Sequence, residues 1–472
     1  MKSSFKPARA ILTPAWREKA ARRIGATVFY SLLALIVLVA IPYGTAEPWW
    51  KALFQCVIFV LTGFWVIERL LWTDPTPHPR HLLLPAFALV AFALIQTLSW
   101  SEYSIAGVDK IEKTLSADAS QTRLFVSQLL ALVLSGSLLV VHTTSRKRLR
   151  LLVEVVIAVG VISAAFGILR NAIEEGPGFG LPYLVPVFTY AQFINSNHFV
   201  FLMEMVLGLT LGIVVCRGVS KRRLVLYLLA AIPMWVALIQ ANSRAGILSI
   251  LCQVLFLALF ARAVRGSREQ TPEDRDARFR GARVLAVRAI LITALLAAAV
   301  VTIVMVGGDA LQSKLDAMPA ELNPKTARTY TLRLNIWQAT LDMIKDRPLV
   351  GTGFGAYWIA ITRYHRATGE ITPQEAHSDY LELVASGGLV GLAIGLWFTV
   401  AFVRETRRKI RSTDRYGRAV TFGALTGIMT VAVHSLVDFG LHTTINALIF
   451  TTLVSIAVMN VPEESAEGEV KV

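Results

Sequence analysis

Apolar runs of bilayer length recur along the whole of this 472-residue chain. Crossing a hydrocarbon core takes about 17–25 predominantly apolar residues in a helix. Twelve such runs can be read, at roughly 24–42, 50–71, 82–100, 124–142, 149–169, 198–216, 224–241, 245–263, 285–307, 380–403, 419–437 and 443–461. Lipid offers no partner for backbone N–H and C=O, so spans of this kind must be helices. The predicted fold is an all-α polytopic membrane protein. A mean hydropathy of +0.57 agrees.

Lys and Arg orient these spans, because cytoplasmic loops carry the excess of both. With the N-terminus inside, most of the 47 basic residues fall on the inner side. They cluster at Arg146–Arg148, Lys221–Arg223, the 262–288 loop and Arg404–Arg418. The predicted order is a cytoplasmic basic segment (1–23), nine spans (24–307), a large outer loop (308–379), three more spans (380–461) and a cytoplasmic acidic tail (462–472) expected to be disordered. The first apolar run exceeds a signal-peptide core and reads as a retained helix.

The same distribution accounts for the net charge of +15. A pI near 9.9 would suit nucleic acid, but the surplus cations sit where positive-inside bias puts them, without an aromatic stacking platform. Nucleic acid is excluded as a partner. Cys56, Cys216 and Cys252 lie within or at the ends of apolar runs, with no CxxC pair, so neither a disulfide framework nor a zinc site is expected.

The 308–379 loop is the long polar excursion on the outer side, and it should fold. Leu334, Trp337, Leu341 and Ile344 recur at helical spacing. Asp346-Arg347-Pro348 ends that helix, because proline lacks an N–H and clashes with the preceding turn. Thr372-Pro373-Gln374-Glu375 reads as a capping box that would place His377 in the first turns of the next helix. The loop has as many acidic as basic residues, so an anion site there must come from particular arginines.

His377 is the candidate general base. A capping or surface histidine is the alternative, but the positive end of a helix dipole would hold its ring neutral, as a base requires. Arg333 opens the RLNIW helix, and Arg244 sits in the short ANSRAG turn between spans seven and eight. Arg333 could equally be a solvated helix face. An arginine confined to a tight turn between apolar helices more often serves a substrate path. Guanidinium groups bind phosphate in bidentate geometry, so a lipid-linked diphosphate is the substrate class these cations suit.

Other groups have structural alternatives. Asn195, Asn197 and His198 precede span six and suit an N-cap cluster, or a contact to acceptor or diphosphate. His434 and Asp438, with His442 beyond, suit a buried polar network at the end of span eleven, and Glu204 a pairing between helices. Arg363 and Tyr364 form either a solvated pair or a donor contact; Lys325, Arg328, Arg347 and Arg366 are further loop cations. Gly351-Thr-Gly-Phe-Gly355 lacks the strand–helix unit of a nucleotide site and reads as a helix-ending turn.

The segments NSNHF, NSRAG, RLNIWQATLDMIKDRPLVGTGFG, HSDYLELVASGGLVG and HSLVDFGLHTTINAL, in this order, resemble the O-antigen ligase and O-antigen polymerase family of bacterial envelope glycosyltransferases. The likeness covers roughly residues 190–450. It implies a GT-C-like enzyme of the inner membrane, both termini cytoplasmic, needing no metal or cofactor. A glycan would be taken from undecaprenyl diphosphate at the periplasmic face. Arg244 and Arg333 would then bind the diphosphate, and His377 would activate the acceptor hydroxyl. The acceptor would be lipid A–core for a ligase, or a second lipid-linked repeat for a polymerase. A transporter or lipid flippase is the alternative of another class, but such proteins bury ionisable residues and broken helices near the midplane, where the sequence offers only Glu204.

Overall fold

A computed structural model describes residues 15–72, 80–99, 114–173, 189–264, 328–365, 373–412 and 414–461. The predicted span 285–307 lies outside them, as do Lys325, Arg366, Thr372 and both terminal segments apart from 15–23.

The described residues are helical, with one isolated bridge between Tyr190 and Phe193. The first eight helices are α1 (Ala15–Val39), α2 (Pro48–Leu71), α3 (Arg80–Ile95), α4 (Ala119–His142), α5 (Arg146–Ile173), α6 (Ser196–Val215), α7 (Lys221–Gln240) and α8 (Arg244–Val264). After the ninth predicted span come the loop helices α9 (Arg328–Asp346) and α10 (Tyr357–Ala360), then α11 (Asp379–Ile410), α12 (Arg415–His434) and α13 (Thr444–Val458). Eight of these are long and apolar enough to cross a membrane, and the shorter apolar helices within α3, α8 and α13 fall on predicted spans. The chain is a polytopic all-α membrane protein. Several helices outrun the apolar windows: α1 starts at Ala15 and α11 runs to Ile410. Their charged end turns remain helical beyond the apolar stretch, where hydropathy no longer marks them.

Helix α6 is the axis of the bundle, enclosed over 83% of its apolar stretch, whereas α2 is enclosed over 17% and faces outward. Its closest partner is α12. A Cβ at Gly212 would lie 2.3 Å from the Gly423 Cα, and one at Gly208 would lie 2.4 Å from the Gly427 N. Two glycines four apart on each helix thus let the backbones touch, as small residues do where helices pack without a hydrophobic drive between them. Beside this seam Glu204 and His434 pair, both fully buried, with Nδ1 3.0 Å from Oε1. Gln253 Nε2 donates to the Glu204 carbonyl (2.9 Å) and to Thr430 Oγ1 (2.8 Å), tying in α8.

The predicted continuous span 380–403 is in fact interrupted. Gly388 has φ 60° and ψ −160° inside α11. The Pro348–Gly353 segment docks at this break. Leu389 N donates to Pro348 O (2.8 Å), Val390 N to Leu349 O (3.1 Å) and Gly353 N to Ser386 O (3.0 Å). Gln96 of the α3 end closes the junction, donating to Val350 O (2.7 Å) and Ser386 O (2.9 Å) and accepting from Phe354 N (3.2 Å). Non-helical backbone at membrane depth is tolerated only when protein satisfies it, and the Pro348–Gly353 segment does so here. A side chain at Gly351 (φ 68°) would strike Ser386 backbone at 2.4 Å. Gln96→Leu leaves Val350 O and Phe354 N without this partner, while Ser386 O keeps Gly353 N, and should cost on the order of 2 kcal/mol. Thermal unfolding in detergent checks this; an unchanged midpoint means the junction is not held by Gln96.

Candidate active site

Two elements meet at the end of the bundle where α12 turns into α13. One is the 373–378 segment leading into α11, the other Ser435–His442. Ser378, not the predicted capping box, caps α11: its Oγ accepts from Leu381 N at 3.4 Å, and residues 373–378 are non-helical. His377 therefore sits before the helix with φ 50°, not in its first turns. The segment is stitched to its surroundings. Asp379 N donates to Ser435 O (3.1 Å) and Asp438 O (3.3 Å), and Ser435 Oγ donates to Asp379 Oδ2 (2.6 Å). Trp337 Nε1 of α9 donates to Ala376 O (3.0 Å), which attaches the loop helix.

Asp438, 1% exposed, is the hub. Its Oδ2 accepts from Asn197 Nδ2 at 2.6 Å and lies 3.8 Å from Arg333 Nη2. Next to it, the Phe439 ring takes the near-perpendicular rings of His377 (4.8 Å between centroids), His198 (4.9 Å) and His442 (5.7 Å). The structure thus joins Arg333 and His377 through residues about 60 to 100 positions distant in the chain. The His377 Nδ1 is buried without a partner among the described residues. Burial holds its pKa below the usual 6.5 and the Arg333 charge adds to this, against the pull of Asp438. A neutral imidazole with an uncommitted nitrogen is the state a proton acceptor needs.

Arg244 is exposed and opens α8 at this same end. The tie to the cluster is packing: a Cβ at Gly246 would lie 2.5 Å from Val200, two residues after His198. Asn195 does cap α6, accepting from Asn197 N at 2.9 Å. His198 Nδ1 meets Thr443 Oγ1 at 3.0 Å. Arg363 is exposed and lies 5.9 Å from the Tyr364 ring, while the Tyr364 hydroxyl donates to Asp346 (3.0 Å). The Tyr364 bond ties the short loop helix back to the end of α9. His434 is sealed in its pair with Glu204 and stacked on Phe201 (4.2 Å), inside the bundle rather than at its mouth.

Sequence reasoning missed a cage of carboxylates around His442. Nδ1 lies 3.2 Å from Glu375 Oε1, and Nε2 lies 3.4 Å from Glu382 Oε1 and 3.7 Å from Asp379 Oδ1. The spacing of Glu375, Asp379 and Glu382, four then three, was the available signal. Donor atoms of Glu375, Glu382 and His442 lie within 4.8 Å of one another, a spacing that a cation would also accept. In this geometry the ring itself supplies the countercharge. Desolvation opposes its protonation, although the side chain stays 37% exposed, and the carboxylates outweigh it and hold the pKa well above 6.5. With the folded pKa raised, the stabilisation is complete below about pH 6.5 and is lost as pH rises through the raised value. The gap in thermal midpoint between wild type and His442→Gln should therefore narrow from pH 6.5 upward. A gap independent of pH would show that the imidazolium is not its source.

Residues 229–396 match the sequence model of a family described as O-antigen ligase. The match runs from α7 through the first part of α11 and includes Arg244, Arg333 and His377, stopping short of Asp438 and His442. No curated protein matches the chain.

Proposed function

We propose, from the match of residues 229–396 to the O-antigen ligase family, a metal-independent, inverting glycosyltransferase that moves a glycan from undecaprenyl diphosphate to the hydroxyl of lipid A–core. The site faces the periplasm from the inner membrane, opposite the basic inner loops. The observation that carries this reading is the meeting of Arg333 with a neutral His377 around Asp438 and Phe439.

His377 accepts the proton of the acceptor hydroxyl as its oxygen attacks C1 of the donor sugar. The bond from C1 to the diphosphate oxygen breaks, and the diphosphate leaves with the electron pair toward Arg333 and Arg244. Preorganised cations aimed at developing charge are among the largest contributions an active site makes. Asp438 orients Arg333 and Asn197. A single displacement inverts the anomeric centre; retention would need a carboxylate nucleophile, and the Asp438 carboxylate is instead engaged with Asn197 and Arg333.

The test is reconstitution with a polyprenyl-diphosphate glycan and either lipid A–core or a second lipid-linked repeat. Product on lipid A–core supports the ligase, and chain growth on the lipid carrier makes the protein a polymerase. No transfer to either acceptor, with the donor moved across the bilayer instead, would make it a flippase. A transporter would use two features, the break at Gly388 and the buried Glu204–His434 pair, but the first is filled by the chain's own backbone and the second is sealed. The acid limb of the rate profile should lie below pH 6.5, because His377 is depressed. Arg333→Gln should move that limb to higher pH as well as slow turnover, a shift that a purely structural loss would not produce.

A further inference from the structure

A polar cavity lies at the other end of the bundle, among the helix ends that carry basic clusters. Its volume is about 420 Å³, within the usual range for small-ligand sites. The first turns of α1, the last turn of α2, the end of α4 and the start of α5 line it.

The charges in it are held in place before anything binds. His142 Nε2 lies 2.8 Å from Glu68 Oε2, and its Nδ1 lies 2.9 Å from the Leu138 carbonyl. Arg148 Nη1 donates to His142 O at 2.7 Å, with the guanidinium 5.0 Å from the Phe29 ring. The Arg69 guanidinium lies 6.0 Å from the Trp65 ring. Arg22 and Glu18 pair one turn apart on α1. Space is kept open by Gly25, where a Cβ would come within 2.7 Å of Glu68 Oε1.

The surroundings are those of a lipid. Trp72 stands at the wall, and the adjoining face of α2 exposes Phe64, Val66, Ile67 and Leu70. Tryptophan marks the level of headgroups, and an outward apolar helix face offers acyl chains a track. Arginines recognise a phosphodiester by paired N–H donors, while the carboxylates give an ammonium its countercharge.

We propose that this cavity is a binding site for a zwitterionic phosphoethanolamine headgroup of the cytoplasmic leaflet, its phosphate on Arg69 and Arg148 and its ammonium toward Glu68 and Glu18. The site is independent of the transfer chemistry at the opposite end. Bound lipid would tie α1, α2, α4 and α5 together at their inner ends.

The test is native mass spectrometry of the full-length protein in mild detergent, titrated with phosphatidylethanolamine or phosphatidylglycerol of identical acyl chains. Ethanolamine lipid should be retained in preference to glycerol lipid. Arg69→Gln should lower its retention on the order of tenfold, the effect of one lost charge-assisted hydrogen bond. Glu68→Gln keeps the hydrogen bond to His142 and should erase the preference without abolishing binding. Gly25→Leu should exclude both lipids by filling the cavity. Should that variant fail to fold, the two polar variants decide alone. Equal retention of the two lipids by wild type, or ethanolamine-lipid binding unchanged in Arg69→Gln, overturns the proposal.

Discussion

His377→Ala is expected to slow glycan transfer by about 10²–10⁴-fold, the usual contribution of a positioned general base, while the protein still inserts and folds. His377 contacts the Phe439 ring and has no hydrogen-bond partner on Nδ1 among the described residues, so removing it breaks no stabilising bond there. Its backbone is left-handed (φ 50°), a region that histidine enters more readily than alanine, so the substitution adds a small strain that the midpoint would register. Turnover in reconstituted vesicles and the thermal midpoint separate the two effects. Near-normal transfer at an unchanged midpoint would remove His377 from the chemistry. A large fall in the midpoint would mean instead that the histidine holds the 373–378 segment in place.

Gly212→Leu is expected to prevent assembly of the bundle. The new side chain begins 2.3 Å from the Gly423 Cα and 2.7 Å from its N. These are backbone atoms in the middle of an enclosed helix, so no rotamer relieves the clash. Separating α6 from α12 would also pull apart Glu204 and His434, which face each other across the same pair of helices. The cost should exceed about 3 kcal/mol, the upper part of the range for overpacked cores. Gly212→Ala is the milder arm, since even a single methyl must shift the helices. Size-exclusion behaviour and thermal unfolding read the effect, and a monodisperse Gly212→Leu protein with a wild-type midpoint would refute the close crossing.

Both predictions involve contacts whose partners are remote in the chain. Gly208 and Gly212 stand four apart in α6, and so do Gly423 and Gly427 in α12, yet many glycines in membrane helices are similarly spaced. Only the superposed backbones show that these two pairs meet. The helix break at Gly388 was hidden for a related reason. Hydropathy averages over a span and registers no change when one residue leaves the helix. The glycines of GTGFG were legible as a turn, but not as the turn that completes another helix.

The candidate site divides along the same line. Arg333 and His377 were singled out by residue type, by expected position at the outer boundary and by the resemblance of their segments to the ligase and polymerase family, spacing alone leaving Arg333 undecided. Asn195 was legible as a cap because capping is local. Asp438 stood only as a secondary possibility, since its role as hub needs Asn197 and Arg333 brought to it. The His442 cage was overlooked because the helix after His377 was expected to begin a few residues early. That expectation treated Glu375 as part of a cap instead of a partner for a ring beyond α12.

By itself the sequence determined the membrane class, the approximate position of eleven helices, the clustering of cations between apolar runs and which side chains have the chemistry to bind an anion or accept a proton. These properties depend on runs, counts and side-chain chemistry, which the bilayer reads locally. Tertiary structure alone decided which helices touch, where α11 breaks, that Asp438 and Phe439 join Arg333 to His377, and that three carboxylates enclose His442. A contact between remote residues leaves no periodic trace in one chain. It exists only once packing has chosen the neighbours, and the same burial then fixes the ionisation of the histidines it encloses.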